Sequence, residues 1–174
     1  MVLNKLEPEF SRPLDVARVS AGGSTEKIAA TAEECARLAK RLNLPAIHAL
    51  RAELLAKPWR GGGLKVTGEL SADLEQVSVI SLETFRQEVR MPVERYFLSR
   101  PPAEDDGEAD DIDAIVGGHV DLGEIVSETL ALELDPYPRM PGEAFAAIDD
   151  TEEETESRAF ARLKSLNPQN NTRK

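Results

Sequence analysis

The chain predicts an α+β fold: a mostly antiparallel sheet of about four or five strands with two helices, an acidic loop and a flexible C-terminal tail. Three patterns carry this expectation. Leu64, Val66, Gly68, Leu70, Ala72 and Leu74 alternate with polar residues, the period-2 signature of a strand with one buried face. Two stretches, near 31–42 and 121–134, space their apolar residues at helical intervals behind N-capping side chains. Glycine and proline clusters punctuate the remainder as turns.

Glu9 to Val19 reads as a strand interrupted near Pro13, which suits an edge because proline donates nothing to a ladder. Ala21-Gly22-Gly23-Ser24 is a turn. Thr31 and Glu34 make a capping box: the hydroxyl accepts the orphan N–H of Glu34, and the carboxylate reaches back. The helix runs to about Leu42, with Cys35, Leu38, Ala39 and Leu42 inward. Lys40 and Arg41 sit in its last turn, where cations suit the dipole. Asn43 and Pro45 end it.

Ala46 to Trp59 sets strand-like alternation against helix-forming composition. Pro58 and Gly61-Gly62-Gly63 favour a strand entering a hairpin. Leu64 to Leu82 is the clearest β region, with Val77 and Val79 restarting the alternation one register later. Val89 to Leu98 is a further strand, pushed towards an edge by Pro92. Seven acids crowd Glu104 to Asp113, and their self-repulsion predicts a mobile loop.

Asp121, with Glu124 after it, makes an aspartate version of the capping box for a helix of roughly four turns. Leu122, Ile125, Val126, Thr129, Leu130 and Leu134 form its apolar face, and Pro136 and Pro138 stop it. Residues 1–141 are thus expected to form one domain with an acidic insertion at 103–113. Residues 142–174 are expected to be a flexible acidic tail, in which Ala159, Phe160, Leu163 and Leu166 mark a short amphipathic end segment.

Charge narrows the function classes. The net charge is −11, but residues 1–102 carry 15 Lys and Arg against 13 Asp and Glu, and the remainder 6 against 19. Nucleic-acid affinity rests on neutralising phosphates, so the second half is a poor nucleic-acid surface. The start, MVLNKLEPEF, lacks the apolar core of a signal peptide, and no apolar run approaches the ~18 residues of a membrane helix. One cysteine allows neither an internal disulfide nor a cysteine-based zinc ribbon. A soluble cytoplasmic protein is expected, with no membrane partner.

Chemical motifs are sparse. His48 and His119 are the only histidines. His119 has Asp111, Asp113 and Asp121 near it, yet an exposed loop histidine beside acids is the simpler reading than a metal site. Cys35 has no histidine-and-acid partner and reads as a buried thiol. The acid run does not meet the EF-hand pattern, and neither glycine cluster has the phosphate-loop spacing with a Lys-Ser/Thr pair. No catalytic, cofactor or metal residue is assigned. Arg86, Arg90, Arg95 and Arg100, with Tyr96 beside them, have the charge and ring that grip single-stranded RNA; a solvated strand with Glu88 and Glu94 pairing the arginines is the plainer alternative. Glu104, Asp105, Asp106, Glu108, Asp110 and Asp111 form an anionic stretch suited to a basic protein.

The ordered set FSRPLDVARV, TAEECARLAKRLNL, VTGELSADLEQVSVISLE, PVERYF, an acidic loop and IDAIVGGHVDLGEIVSETLALELDPYPRMPG resembles the YceD family. FARLKSL is similar to the short end motif of alphaproteobacterial members. The resemblance spans roughly residues 9–166, most specifically Asp121 to Pro138, Gly68 and the Leu82-Glu83 step. It implies a bacterial or plastid protein associated with accumulation of large-subunit ribosomal RNA. Many members carry a Cys-x-x-Cys pair that matches Ser78 and Ser81 here, and hydroxyls do not hold zinc as thiolates do.

The expected function is therefore a non-enzymatic factor for large-subunit (23S) rRNA, acting on a large-subunit precursor through its RNA or a ribosomal protein. The alternative is an acidic adaptor that binds a basic ribosomal protein without touching RNA. A third, weaker option is a metal-dependent enzyme around His119.

Overall fold

The computed structural model describes residues 8–99 and 112–144. Its elements are β1 (Pro13–Asp15), β2 (Ser24–Ala29), α1 (Ala32–Arg41), β3 (Ala46–Trp59), β4 (Gly63–Val77), β5 (Thr84–Leu98), β6 (Ile112–Ala114), β7 (His119–Asp121) and α2 (Leu122–Glu133). Five strands form one sheet in the order β2-β3-β4-β5-β6. All its pairings are antiparallel except β5–β6. β1 and β7 make a separate antiparallel pair. The fold is the expected α+β class.

Period-2 patterning decides which face is buried. Leu64, Val66, Leu70, Ala72 and Leu74 of β4 face inward with Leu50, Ala52, Leu54 and Ala56 of β3 and Met91, Val93 and Phe97 of β5. A bulge between Ile47 and Ala49 resets β3, so Ile47 and Leu50 both point inward. Two helices cover this face. α1 contributes Cys35, Leu38 and Ala39, and α2 contributes Leu122, Ile125, Val126 and Leu130. Phe10, from the segment before β1, enters the same core and is 1% exposed.

Several expectations need correction. The strand expected over 9–19 is only Pro13–Asp15, because a single 3₁₀ turn follows at Val16–Arg18, capped by Asp15. β2 went unforeseen: its sequence STEKIA lacks apolar alternation, and pairing with β3 makes it a strand. Val77 and Val79 do not restart the pattern. Even-numbered positions stay inward, so Gln76 and Ser78 are buried while both valines are over two-fifths exposed. Gln76 is tolerated there because its amide nitrogen reaches the Asp135 carbonyl and its oxygen accepts from Gln87. β5 also begins at Thr84, earlier than expected, and Ile112 and Asp113 of the expected acidic insertion belong to β6. Pro92 lies where β5 has β4 on one side, since β6 pairs only with Tyr96 to Leu98.

The N-terminal segment is bound to both helices by charge-assisted hydrogen bonds. Asp121 caps α2 by accepting from Gly123 and Glu124 N–H at 2.9 and 3.2 Å. The same carboxylate accepts from the Arg12 N–H at 2.7 Å and from the Ser11 hydroxyl. The Arg12 guanidinium then donates to both oxygens of Glu34 at 2.8 and 2.9 Å. Glu34 is the reciprocal half of the α1 capping box with Thr31. Gly123 lets the segment cross the start of α2, because a Cβ there would lie 2.5 Å from the Phe10 carbonyl oxygen.

The hydrogen-bonded Arg12 guanidinium holds the Glu34 carboxyl at about 2, below its ordinary 4.5. A depressed carboxylate adds stability above its unfolded pKa and loses it as pH falls through the folded value. Glu34→Gln is therefore expected to cost about 1–2 kcal/mol at pH 7, with the gap to the parent narrowing as pH falls from 4.5 towards 2. Denaturant midpoints across that range check it. Gly123→Ala is expected to cost about 1–3 kcal/mol by forcing the crossing segment away, measured the same way.

Candidate RNA-contact surface

The sheet face away from the helices is polar, and its strands are laced by opposite charges. Arg86 donates to Asp73 across β4–β5, with Nε to Oδ1 at 2.7 Å. Arg90 reaches Glu88 at 3.2 Å and lies 4.0 Å from Glu69. Lys27 meets Glu53 at 3.1 Å, and the His48 ring contacts Glu75 at 2.8 Å. These pairs face solvent, where water screens them and weakens each. They leave Arg86 and Arg90 accessible, with side chains 58% and 67% exposed.

The structure does not bring the four expected arginines together. Arg86, Arg90 and Tyr96 occupy even positions of β5 and share the outer face. Arg95 is odd and points to the helix side, where it meets Asp113 at 2.7 Å and Glu128 at 3.2 Å. It therefore links β5, β6 and α2. Arg100 lies outside the described residues, as do Glu104, Asp105, Asp106, Glu108, Asp110 and Asp111.

Tyr96 has a partner that the strand pattern did not reveal. The β3–β4 hairpin turns at Arg60–Gly62, which sets Trp59 opposite Gly63 and Lys57 opposite Lys65. Lys65 in turn lies opposite Tyr96. The Trp59 and Tyr96 rings are 4.9 Å apart at 53°. The Arg60 guanidinium sits 4.5 Å from the Trp59 centroid and the Lys65 ammonium 4.9 Å from that of Tyr96. Glu94 accepts from Lys65 and from the Tyr96 hydroxyl at 2.8 and 2.5 Å. Trp59 and Tyr96 stand far apart in sequence; the one usable signal was a tryptophan between Lys57 and Arg60.

On the helix side, a cleft of about 970 Å³ opens between residues 8–13, β6, β7 and α2. Glu9, Asp113, Glu124 and Glu128 line it, with Arg41 and Arg95 among them. His119 borders the cleft with Nδ1 2.9 Å from the Gly117 carbonyl. Asp121 is committed to its cap and Asp113 to Arg95. Among the described residues, no three His, Cys, Asp or Glu side chains are grouped as metal ligands.

Ser78 and Ser81 serve the β4–β5 turn. The buried Ser78 hydroxyl accepts from the Ile80 and Ser81 N–H groups at 3.1 and 3.4 Å. The Ser78 N–H donates to Glu83, and Leu82 donates back to the Ser78 carbonyl. Ser81 is exposed and accepts from Glu83 at 3.4 Å. Cys35 is buried on α1, and that burial pushes its thiol above the ordinary value, away from the reactive thiolate.

The model of the family described as large ribosomal RNA subunit accumulation protein YceD matches residues 66–167. That is more than half of the 174 residues, and the chain belongs to this family. The family description connects it with accumulation of large-subunit ribosomal RNA. No curated protein and no solved structure matches the chain. Among the described residues, no helix is long and apolar enough to cross a membrane.

The two arginine environments predict different mutational costs. Arg95→Ala leaves Asp113 and Glu128 facing each other and is expected to cost about 1 kcal/mol, whereas Arg90→Ala stays within about 0.5 kcal/mol. Paired denaturation curves of the two variants check this order.

Proposed function

We propose that this protein is a non-enzymatic cytoplasmic factor that supports synthesis, processing or accumulation of large-subunit (23S) rRNA by binding an early large-subunit precursor. Membership of the YceD family carries the proposal. The described residues agree with a binding role: His119 braces a turn, Asp121 caps a helix, and Cys35 is a buried thiol. Arg86 and Arg90 on the outer sheet face, with Tyr96 at its end, are the proposed RNA contacts. Both arginine side chains are themselves exposed, so phosphates reach them, and their surface ion pairs are weak competitors. Arg95 contributes by holding β6 to α2. Arg100 is proposed as a further RNA contact.

A second reading draws on the cleft. Its excess of carboxylates over cations suits a basic segment of a ribosomal protein; Glu104, Asp105, Asp106, Glu108, Asp110 and Asp111 are proposed as further contacts to that partner. In that reading the chain is an adaptor without RNA contact.

Sucrose-gradient sedimentation of the tagged protein, combined with rRNA quantification in cells lacking it, tests the lead. Co-migration with large-subunit precursors and a fall in 23S rRNA are expected. Complementation with Arg86→Glu/Arg90→Glu is expected to restore less 23S rRNA than the parent. Full restoration by the charge-reversed protein, together with crosslinks only to a ribosomal protein, moves the conclusion to the adaptor. A protein that stays at the top of the gradient at low salt and leaves 23S rRNA unchanged sinks both.

A further inference from the structure

We infer that Trp59 and Tyr96, with Lys57, Arg60 and Lys65 around them, form a stacking platform for single-stranded RNA. The inference rests on the direct-RNA reading above and gives it a defined site. Three features of the geometry carry it.

The rings come from separate strands and meet on the outer sheet face, 4.9 Å apart and tilted by 53°. Both are only half-buried, so part of each ring borders solvent. A core pair would be enclosed; this pair lies on the opposite face of the sheet from the buried Leu64 and Phe97. Aromatic rings at a surface offer π-faces to any base, which makes stacking tolerant of sequence.

Cations lie at both rings. Arg60 stands over Trp59 and Lys65 over Tyr96, at 4.5 and 4.9 Å. Lys57 lies in the same cross-strand row as Lys65 and Tyr96. The planar Arg60 guanidinium is itself a surface on which a base can stack. Three cations thus share one end of the sheet with Glu94, which is taken up by Lys65 and the Tyr96 hydroxyl. The platform is therefore the part of the outer face where both rings coincide with cations.

Geometry also selects the form of nucleic acid. Half-buried rings at a strand end reach bases only when those are unstacked and splayed outwards. Paired bases in a duplex keep their faces covered, and A-form RNA has a groove too deep for these side chains. Single-stranded segments of an unfolded precursor supply such bases.

Trp59 is the only tryptophan, so its emission reports the site directly. The full chain is titrated with a single-stranded RNA of about 12 nucleotides, within the span of known stacking grooves, and with a duplex of equal length. Labelled-RNA anisotropy gives affinity in the same samples. Saturable quenching by the single strand and none by the duplex is expected. The slope of log affinity against log salt should be about −2, for three phosphates at ~0.7 each. Lys57→Glu and Tyr96→Leu should each weaken binding about tenfold with unchanged thermal midpoints, while Lys27→Gln, away from the platform, binds as the parent does.

Binding without a change in Trp59 emission, unaffected by Lys57→Glu, overturns the platform and leaves RNA contact elsewhere on the protein. Absence of RNA binding by a folded chain that still co-sediments with large-subunit precursors overturns both the platform and direct RNA contact, and favours the protein adaptor.

Discussion

The Asp121 carboxylate is the constraint on which the rest of the arrangement depends. One side chain caps α2, accepts the Arg12 backbone N–H and accepts the Ser11 hydroxyl. Those bonds place Arg12 where its guanidinium meets Glu34 and so fixes the start of α1. Both helices that cover the sheet are thereby oriented from their N-termini by one crossing segment. Phe10, next in line, is seated in the core by the same crossing. Such bonds are strong because each joins a charged side chain to a well-aligned partner, most of them partly buried.

This tie divides the molecule into two electrostatic settings. Charges on the helix side serve connection: Arg95 spans β6 and α2, and Arg41 meets Glu9 at 2.9 Å. Charges on the outer sheet face are mostly exposed and paired across strands, where water screens them and exchange is cheap. An outer face built this way is stable without a partner and open to one. That is consistent with a family described by accumulation of large-subunit ribosomal RNA.

Legibility followed the distance over which a signal acts. Thr31 with Glu34, and Asp121 with the N–H groups after it, are read within three residues, so both helix starts were visible. The reciprocal Glu124 half of the second box was not needed, since Asp121 draws its other partners from the N-terminal segment. The inward row of β4 was visible because strand period is local. β2 was hidden because its residues take their strand conformation from β3. The arginine set was misjudged as one cluster because a strand alternates faces, which sends Arg95 away from Arg86 and Arg90.

By itself the sequence determined the fold class, both helix starts, the hairpin at the glycine cluster and the family. Each depends on short-range backbone chemistry or on an ordered set of motifs. Tertiary structure alone decided what stands beside what. Trp59 meets Tyr96, Arg95 meets Glu128, and Arg12 meets Glu34 and Asp121 only after strands pair in register and helices close over the sheet. Register is set by burial of a whole face, a property of the sheet rather than of any one strand, and the candidate site inherits its geometry from that register.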